Sequence, residues 1–105
     1  MTKITFYKTD DLIVGFEVCG HTGKDDFGKD LLCCQISTVA QVAVVGVQEV
    51  LKLNAFCEIS DGYLKVKVQK NDAPKVQILF ETCLQSFKSI IIDEKKYAKL
   101  EVKNV

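Results

Sequence analysis

Tryptophan is absent from this sequence of 105 residues, and histidine, proline and methionine each occur only once. A single histidine cannot complete the usual zinc-ligand sets, and no two cysteines have the C-x-x-C spacing found in many metal and redox sites. We therefore expect the protein to use neither a structural metal nor a cofactor.

An excess of charge of either sign is also missing, because lysine plus arginine and aspartate plus glutamate number 14 each. Proteins that bind nucleic acids normally carry a basic excess. The lysines near the end of the sequence, in KSIIIDEKKYAKLEVK, are interrupted by Asp93, Glu94 and Glu101. We interpret them as solvated surface and expect no direct contact with nucleic acid.

Signals for export and for membrane insertion are not evident. The stretch MTKITFYKTDD lacks the continuous apolar region of a signal peptide, and no apolar segment is free of polar residues over the roughly eighteen positions needed to cross a bilayer. These absences predict a cytoplasmic protein without a membrane partner. In that compartment the five cysteines are expected to stay reduced. They are Cys19, Cys33, Cys34, Cys57 and Cys83.

The length is close to the commonest domain size and 48% of the residues are hydrophobic, which predicts a single folded domain over residues 1–105. Apolar periodicity predicts the element order β-β-α-β-β-α-β. This order indicates an α+β, two-layer sandwich with a ferredoxin-like core and an extra N-terminal strand. The predicted strands span residues 3–8, 12–19, 55–60, 63–69 and 97–103.

The first helix is expected to begin after Asp30, a preferred N-cap residue, and to end between residues 51 and 53. Its apolar residues cover so much of the circumference that we expect burial on more than one side. Gly46 would then permit close packing against a sheet or a second subunit. The wide apolar surface of this helix and the sequence SFKSIII in the second helix favour a homodimer. The second helix is expected to carry Pro74 in its first turn, where a missing amide proton costs nothing.

Two other glycines indicate local geometry. Asp61-Gly62 predicts a hairpin turn in which both residues take positive φ. Gly15, within the second strand, indicates a β-bulge or the close approach of another backbone. The sheet face turned away from the helices includes Ile13 and Lys65, and we expect it to be partly solvated.

Residues capable of chemistry are concentrated between Gly20 and Ser37, in GHTGKDDFGKDLLCCQIS. The only histidine, His21, lies in a polar, glycine-rich loop, and Cys33 and Cys34 follow in the first turn of the first helix. Unsatisfied amides and the helix dipole favour a thiolate at that position, and the thiolate is the nucleophilic form of cysteine. We interpret this junction of loop and helix as the candidate active site.

This stretch resembles the signature of the ribosomal-processing cysteine proteases, small bacterial enzymes in which a G-H loop precedes a cysteine that enters a helix. The resemblance implies that His21 is the general base and proton donor, and that Cys33, twelve positions later, is the nucleophile. Many members carry a small residue after the nucleophile, whereas this chain has Cys34, so the choice between the two thiols rests on spacing. The supporting positions that also match are Gly20, Gly28, Asp30 and Ser37.

The resemblance further implies an endopeptidase of ribosome assembly that removes the N-terminal extension of the large-subunit ribosomal protein numbered twenty-seven. The family cuts after an aromatic residue and before a small one, which requires an apolar pocket beside Cys33. Phe27, in the loop, is expected to form a wall of that pocket, to anchor the loop to the body of the protein, or to do both. A homodimer is implied as well.

Two functions of other classes are compatible with the sequence. A non-catalytic ribosome-assembly binding module would use the open sheet face or edge and would not need Cys33. A thiol-dependent acyltransferase or redox sensor would use Cys33 and Cys34, although adjacent cysteines rarely form a disulfide within a helix.

The roles of several supporting residues remain open at this point. Asp30 either caps the first helix or orients His21, and its position favours the cap. Ser37 lies four residues after Cys33 on the same helical face, and it either hydrogen-bonds the thiolate or fills space. The cysteines inside strands or a helix are expected to be small buried apolar residues. These are Cys19, Cys57 and Cys83.

Overall fold

The computed structural model describes residues 1–26 and 30–105, and within them strands and helices follow one another in the predicted order. The strands are β1 (Thr2–Thr9), β2 (Leu12–Cys19), β3 (Phe56–Ser60), β4 (Tyr63–Lys67) and β5 (Ala98–Asn104). The helices are α1 (Leu31–Val45), which continues as a π-helical turn (Gly46–Val50), and α2 (Ala73–Ile91).

The strands form one mixed sheet in the order β3-β4-β2-β1-β5. Antiparallel pairs join β1 to β2, β2 to β4 and β3 to β4, whereas β1 and β5 run parallel. The predicted α+β class, with two helices and a five-stranded sheet, is confirmed. The additional N-terminal strand, β1, lies inside the sheet between β2 and β5. It pairs with β2 along one edge and with β5 along the other.

A β-bulge interrupts the pairing of β1 with β2. Tyr7 pairs with Gly15 and Lys8 with Ile13, which leaves Val14 as the extra residue on β2. Because a bulge shifts the alternation, Ile13 and Val14 are both 2% exposed. The expectation that Ile13 belongs to the solvated sheet face is therefore wrong, while the bulge indicated by Gly15 is present.

Four phenylalanines at the centre of the core join the sheet to α2. Phe16 stacks on Phe6, with ring centroids 4.9 Å apart, and meets Phe80 and Phe87 edge to face at 5.8 and 5.7 Å. All four rings are fully buried. Such pairs each contribute about 0.5–1.5 kcal/mol beyond the area that they bury. This cluster holds β1 and β2, and so the start of the site loop, in a fixed position relative to α2.

Helix α1 is buried on one side only. Leu32, Ile36 and Ala40 lie in the core, but Val42 and Val45 are 57% and 52% exposed. The expectation of burial on more than one side is wrong for this chain, because α1 packs on α2 and leaves its opposite face uncovered. By length and composition the continuous helix Leu31–Val50 is apolar enough to cross a membrane, a test that the core helices of soluble proteins also pass.

The close approach expected at Gly46 is to α2. A β-carbon on Gly46 would lie 2.7 Å from a methyl carbon of Leu79. At the start of α2, Asp72 occupies the N-cap position, but its side chain binds Lys75 at 3.1 Å rather than a backbone amide.

Candidate active site

The first turn of α1 is capped by Asp30. Its backbone is extended, with φ −80° and ψ 94°, and its Oδ1 accepts a hydrogen bond of 2.9 Å from the amide of Cys33. This is the bond expected of an N-cap carboxylate. The predicted cap is confirmed, and it lies directly against the backbone of Cys33.

The second oxygen of Asp30 connects the cap to the loop that carries His21. Oδ2 accepts hydrogen bonds from the Thr22 hydroxyl and, at 3.1 Å, from the Lys24 amide. These donors, the Thr22 hydroxyl foremost, hold the pKa of the Asp30 carboxyl below its ordinary value. One carboxylate thus fixes the residue after His21 relative to the turn that contains Cys33.

Thr22 and Lys24 are site residues that the sequence did not single out. Thr22 is only 3% exposed although it follows an exposed histidine. The Lys24 ammonium binds Glu94 at 2.5 Å and lies 5.8 Å from the centre of the Tyr97 ring. No local pattern marks these contacts, because their partners lie up to 73 positions away along the chain.

The His21 ring lies against the β3–β4 hairpin. Its Nε2 is 3.7 Å from Asp61 Oδ1, and a β-carbon on Gly62 would be 2.8 Å from the same nitrogen. Within the turn only Gly62 has positive φ, at +68°, so the prediction that both turn residues do so is wrong. Two consecutive residues with positive φ occur instead in the β1–β2 turn, where Asp10 and Asp11 have φ of 53° and 65°.

Gly20 fixes the start of the loop. It has φ +92°, and a β-carbon there would lie 2.5 Å from the carbonyl oxygen of Met1. Its amide donates a 2.8 Å hydrogen bond to the Gly62 carbonyl. Both constraints require glycine, since positive φ and the close backbone leave no room for a side chain.

A cavity of about 700 Å³ brings these elements together. The loop, the start of α1, and the β3–β4 hairpin all contribute to its lining. The cavity wall includes five of the predicted residues and the second thiol, namely Gly20, His21, Asp30, Cys33, Ser37 and Cys34. Phe27 and Gly28 lie outside the described residues.

Among the five cysteines, the two thiols of α1 are the ones that border the cavity. Cys33 is half-buried and Cys34 exposed, and both border the cavity. Cys83 is buried in α2, as predicted, and burial raises the pKa of its thiol to about 11. Cys57 is half-buried, and burial raises the pKa of its thiol as well. Cys19 is exposed at the end of β2, so its predicted burial is wrong.

Ser37 lies one turn beyond Cys33 on the same side of α1. Its Oγ accepts a 2.8 Å hydrogen bond from the Gln41 side-chain amide. The hydroxyl is therefore held by its own helix at the cavity wall. As for metals, residues 1–26 and 30–105 hold no group of three or more histidine, cysteine, aspartate or glutamate side chains placed to bind an ion.

A thiol in the first turn of a helix and a histidine on a loop border the same cavity, and a cysteine hydrolase uses side chains of these two kinds. The family comparison gives the class more narrowly. The chain belongs to the family described as cysteine protease Prp, whose model matches residues 1–99.

Solved structures share the fold over nearly the whole chain. The ribosomal processing protease Prp from S. aureus, in complex with a covalently linked product peptide, is 18% identical and has a TM-score of 0.89, with 98% of this chain and 100% of that one covered. The same protease in complex with a substrate peptide is 17% identical and has a TM-score of 0.83, with 98% of this chain and 100% of that one covered. SMU.848 from Streptococcus mutans is 22% identical and has a TM-score of 0.83, with 100% of this chain and 96% of that one covered. No curated protein matches the sequence.

Proposed function

We propose that this cysteine protease is an endopeptidase of ribosome assembly, which removes the N-terminal extension of the large-subunit ribosomal protein numbered twenty-seven. The observation that carries the proposal is the shared cavity, in which His21, the two thiols and the capped end of α1 meet. The structural neighbours add support, since the S. aureus protein is a ribosomal processing protease seen with substrate and product peptides.

In the proposed mechanism Cys33 is the nucleophile and His21 the proton carrier. His21 takes the thiol proton as the sulfur attacks the carbonyl carbon of the scissile peptide, and then gives that proton to the leaving amine. The thioester that remains is attacked by water, with His21 as base, which releases the new carboxyl end and restores the thiol. The chemistry requires no cofactor.

The cap limits which groups can stabilise the oxyanion. The amide of Cys33 already donates to Asp30, so it is not free to bind the developing negative charge. The positive end of the α1 dipole remains available at this position. Asp30 is proposed to act as cap and positioning group, and Ser37 and Gly20 as structural support.

The walls of the cavity suit an apolar substrate side chain. Apolar residues from four elements border it beside the two thiols. They are Val18, Leu31, Ile36, Ala40, Ile59 and Leu64. This composition supports cleavage after an aromatic residue, and Phe27 is proposed as a further wall.

The decisive experiment follows cleavage of a synthetic peptide that spans an aromatic–small junction, with products identified by mass spectrometry. We expect the wild-type protein to cut after the aromatic residue, Cys33→Ala to lose all turnover, and Cys34→Ala to retain most of it. A peptide with aspartate in place of the aromatic residue is the matched control and should stay intact.

Two results would contradict the proposal. Activity in Cys33→Ala together with loss in Cys34→Ala would move the nucleophile to Cys34. An intact aromatic peptide that nevertheless binds the wild-type protein would favour a non-catalytic ribosome-assembly module.

We also propose that the protein is a cytoplasmic homodimer. The support is the uncovered apolar side of the first helix, where four large side chains are exposed. They are Val42, Val45 and Val50, together with Leu51 directly after the last helical turn, at 57%, 52%, 74% and 37% exposed. Because so much apolar surface on one helix is costly in water, a second copy of the chain is its proposed cover.

A further inference from the structure

A carboxylate from a distant part of the sequence lies close to the His21 ring. Asp61 lies 40 positions after His21, in the turn between β3 and β4, and its Oδ1 is 3.7 Å from Nε2. The Gly20 amide bonds the Gly62 carbonyl at 2.8 Å, which ties the backbone before the ring to that turn. A main-chain hydrogen bond therefore keeps the backbone before the ring next to the turn that carries the carboxylate.

The other carboxylate of the site is already occupied. Asp30 accepts from the Cys33 amide, the Thr22 hydroxyl and the Lys24 amide, so its two oxygens are engaged with the helix cap and the loop. It fixes where the loop lies, but its bonds go to neighbours of His21 and not to the ring. Orientation of the ring thus requires a different group.

We propose that Asp61 is a positioning residue, which holds the Nε2 side of the His21 ring so that Nδ1 faces the nucleophilic thiol. The proposal rests on the proposed Cys33–His21 chemistry. An imidazole has two nitrogens, and a partner that accepts from one of them sets both the tautomer and the direction of the other.

Gly62 makes this contact possible. A β-carbon there would come within 2.8 Å of Nε2, closer than two such atoms approach, so any larger residue would displace the ring. Asp61 itself is not in the left-handed region, and it therefore tolerates replacement by alanine or asparagine without backbone strain. The turn can be altered at Asp61 alone.

The test compares Asp61→Ala and Asp61→Asn with the wild type in two assays. The first is peptide cleavage, where we expect Asp61→Ala to lower kcat about three- to tenfold with little change in KM, and Asp61→Asn, which keeps an acceptor oxygen, to lie between. The second is alkylation of the native protein by iodoacetamide, with each cysteine followed by mass spectrometry. There Cys33 should react more slowly in both variants, while exposed Cys34 should not change.

The matched control is Asp10→Asn, which removes a turn carboxylate paired with Lys70 at the other hairpin. This variant should show the kcat for peptide cleavage and the Cys33 alkylation rate of the wild type. The proposal would be overturned if Asp61→Ala stayed within twofold of the wild type in kcat and in the rate of Cys33 alkylation. A change confined to KM would also overturn it, as would an equal fall in the alkylation rate of Cys34. Should the alanine variant not fold, unchanged Cys33 alkylation in Asp61→Asn would overturn it instead.

The alkylation assay separates this inference from the proposed function. It needs no substrate, so a failure to cleave the peptide would remove the proposed endopeptidase activity while the Cys33 rates still decide the role of Asp61.

Discussion

At the scale of single residues, Asp30 connects more of the site than any other side chain described here. One oxygen caps α1 at Cys33, and the other holds Thr22 and Lys24 of the loop. A carboxylate that accepts several hydrogen bonds is stabilised in its charged form. The geometry of the site is therefore coupled to the protonation of Asp30.

This coupling predicts a change in acid stability when the Thr22 hydroxyl is removed. The pKa of folded Asp30 lies below its ordinary value of 3.8, so the carboxylate stabilises the fold above that pH, and this contribution is lost as pH falls through the folded pKa. In Thr22→Val we expect a loss of about 1–3 kcal/mol at neutral pH, because a hydrogen bond to a charged group is lost. The loss should shrink in acid, as measured by urea unfolding at several pH values.

Thr38→Val is the control for this prediction. Its hydroxyl donates to the Cys34 carbonyl at 2.8 Å within α1 and touches no carboxylate. Any change in the free energy of unfolding of this variant should be the same at neutral and acid pH. An unaltered pH profile in Thr22→Val would show that the hydroxyl is not what holds the pKa of Asp30 down.

At the scale of elements, two glycines mark where backbone and helix approach their neighbours. Gly15 of β2 lies against the backbone of β4, where a β-carbon would come within 2.3 Å of the Val66 carbonyl oxygen. At Gly46, directly after α1, the atoms nearest to a β-carbon belong to the side chain of Leu79. A side chain can rotate away, but a paired strand cannot move without breaking its hydrogen bonds.

We therefore expect the same substitution to have unequal effects at these two positions. Gly15→Ala should destabilise the protein by about 2–3 kcal/mol or more, since the strands must separate. Gly46→Ala should change the free energy of unfolding by no more than about 1 kcal/mol, because better helix propensity offsets the displaced Leu79. Chemical denaturation monitored by circular dichroism measures both. Equal costs would mean that the β2–β4 pairing is more adaptable than its geometry implies.

At the scale of the whole molecule, the cavity is a product of assembly. Its wall draws on the loop after β2, the start of α1 and the hairpin after β3, segments that the sheet order β3-β4-β2 brings side by side. The Lys24–Glu94 ion pair adds the chain between α2 and β5 to this arrangement. The outer side of α1 is left uncovered in the single chain.

The proposed dimer predicts how that side behaves in solution. Sedimentation velocity at micromolar concentration should give a dimer for the wild type and a monomer for the double variant Val42→Glu and Val45→Glu. Ile78→Glu, on α2 and 87% exposed in the wild type, is the control and should remain dimeric. A wild type that sediments only as a monomer would remove the dimer from the proposal.

Much of this architecture was determined by local sequence. Strand and helix bounds were predicted to within about two residues at most ends, because alternation, helical spacing and turn residues act between near neighbours. The same holds for the cap, since Asp30 is a favourable N-cap whatever surrounds it. His21 and Cys33 could be identified as site candidates because they lie in one short stretch that resembles a family signature.

Tertiary structure alone decided the features that depend on distant partners. The parallel pairing of β1 with β5, the exposure of Val42 and the contact of Asp61 with His21 each join or separate positions that no local pattern relates. Val42 and Ala43 are both apolar residues of one helix, yet only Ala43 meets the core. Apolar sequence shows that a residue can be buried, but burial itself requires a neighbour, and the packing of α1 on α2 supplies one on a single side.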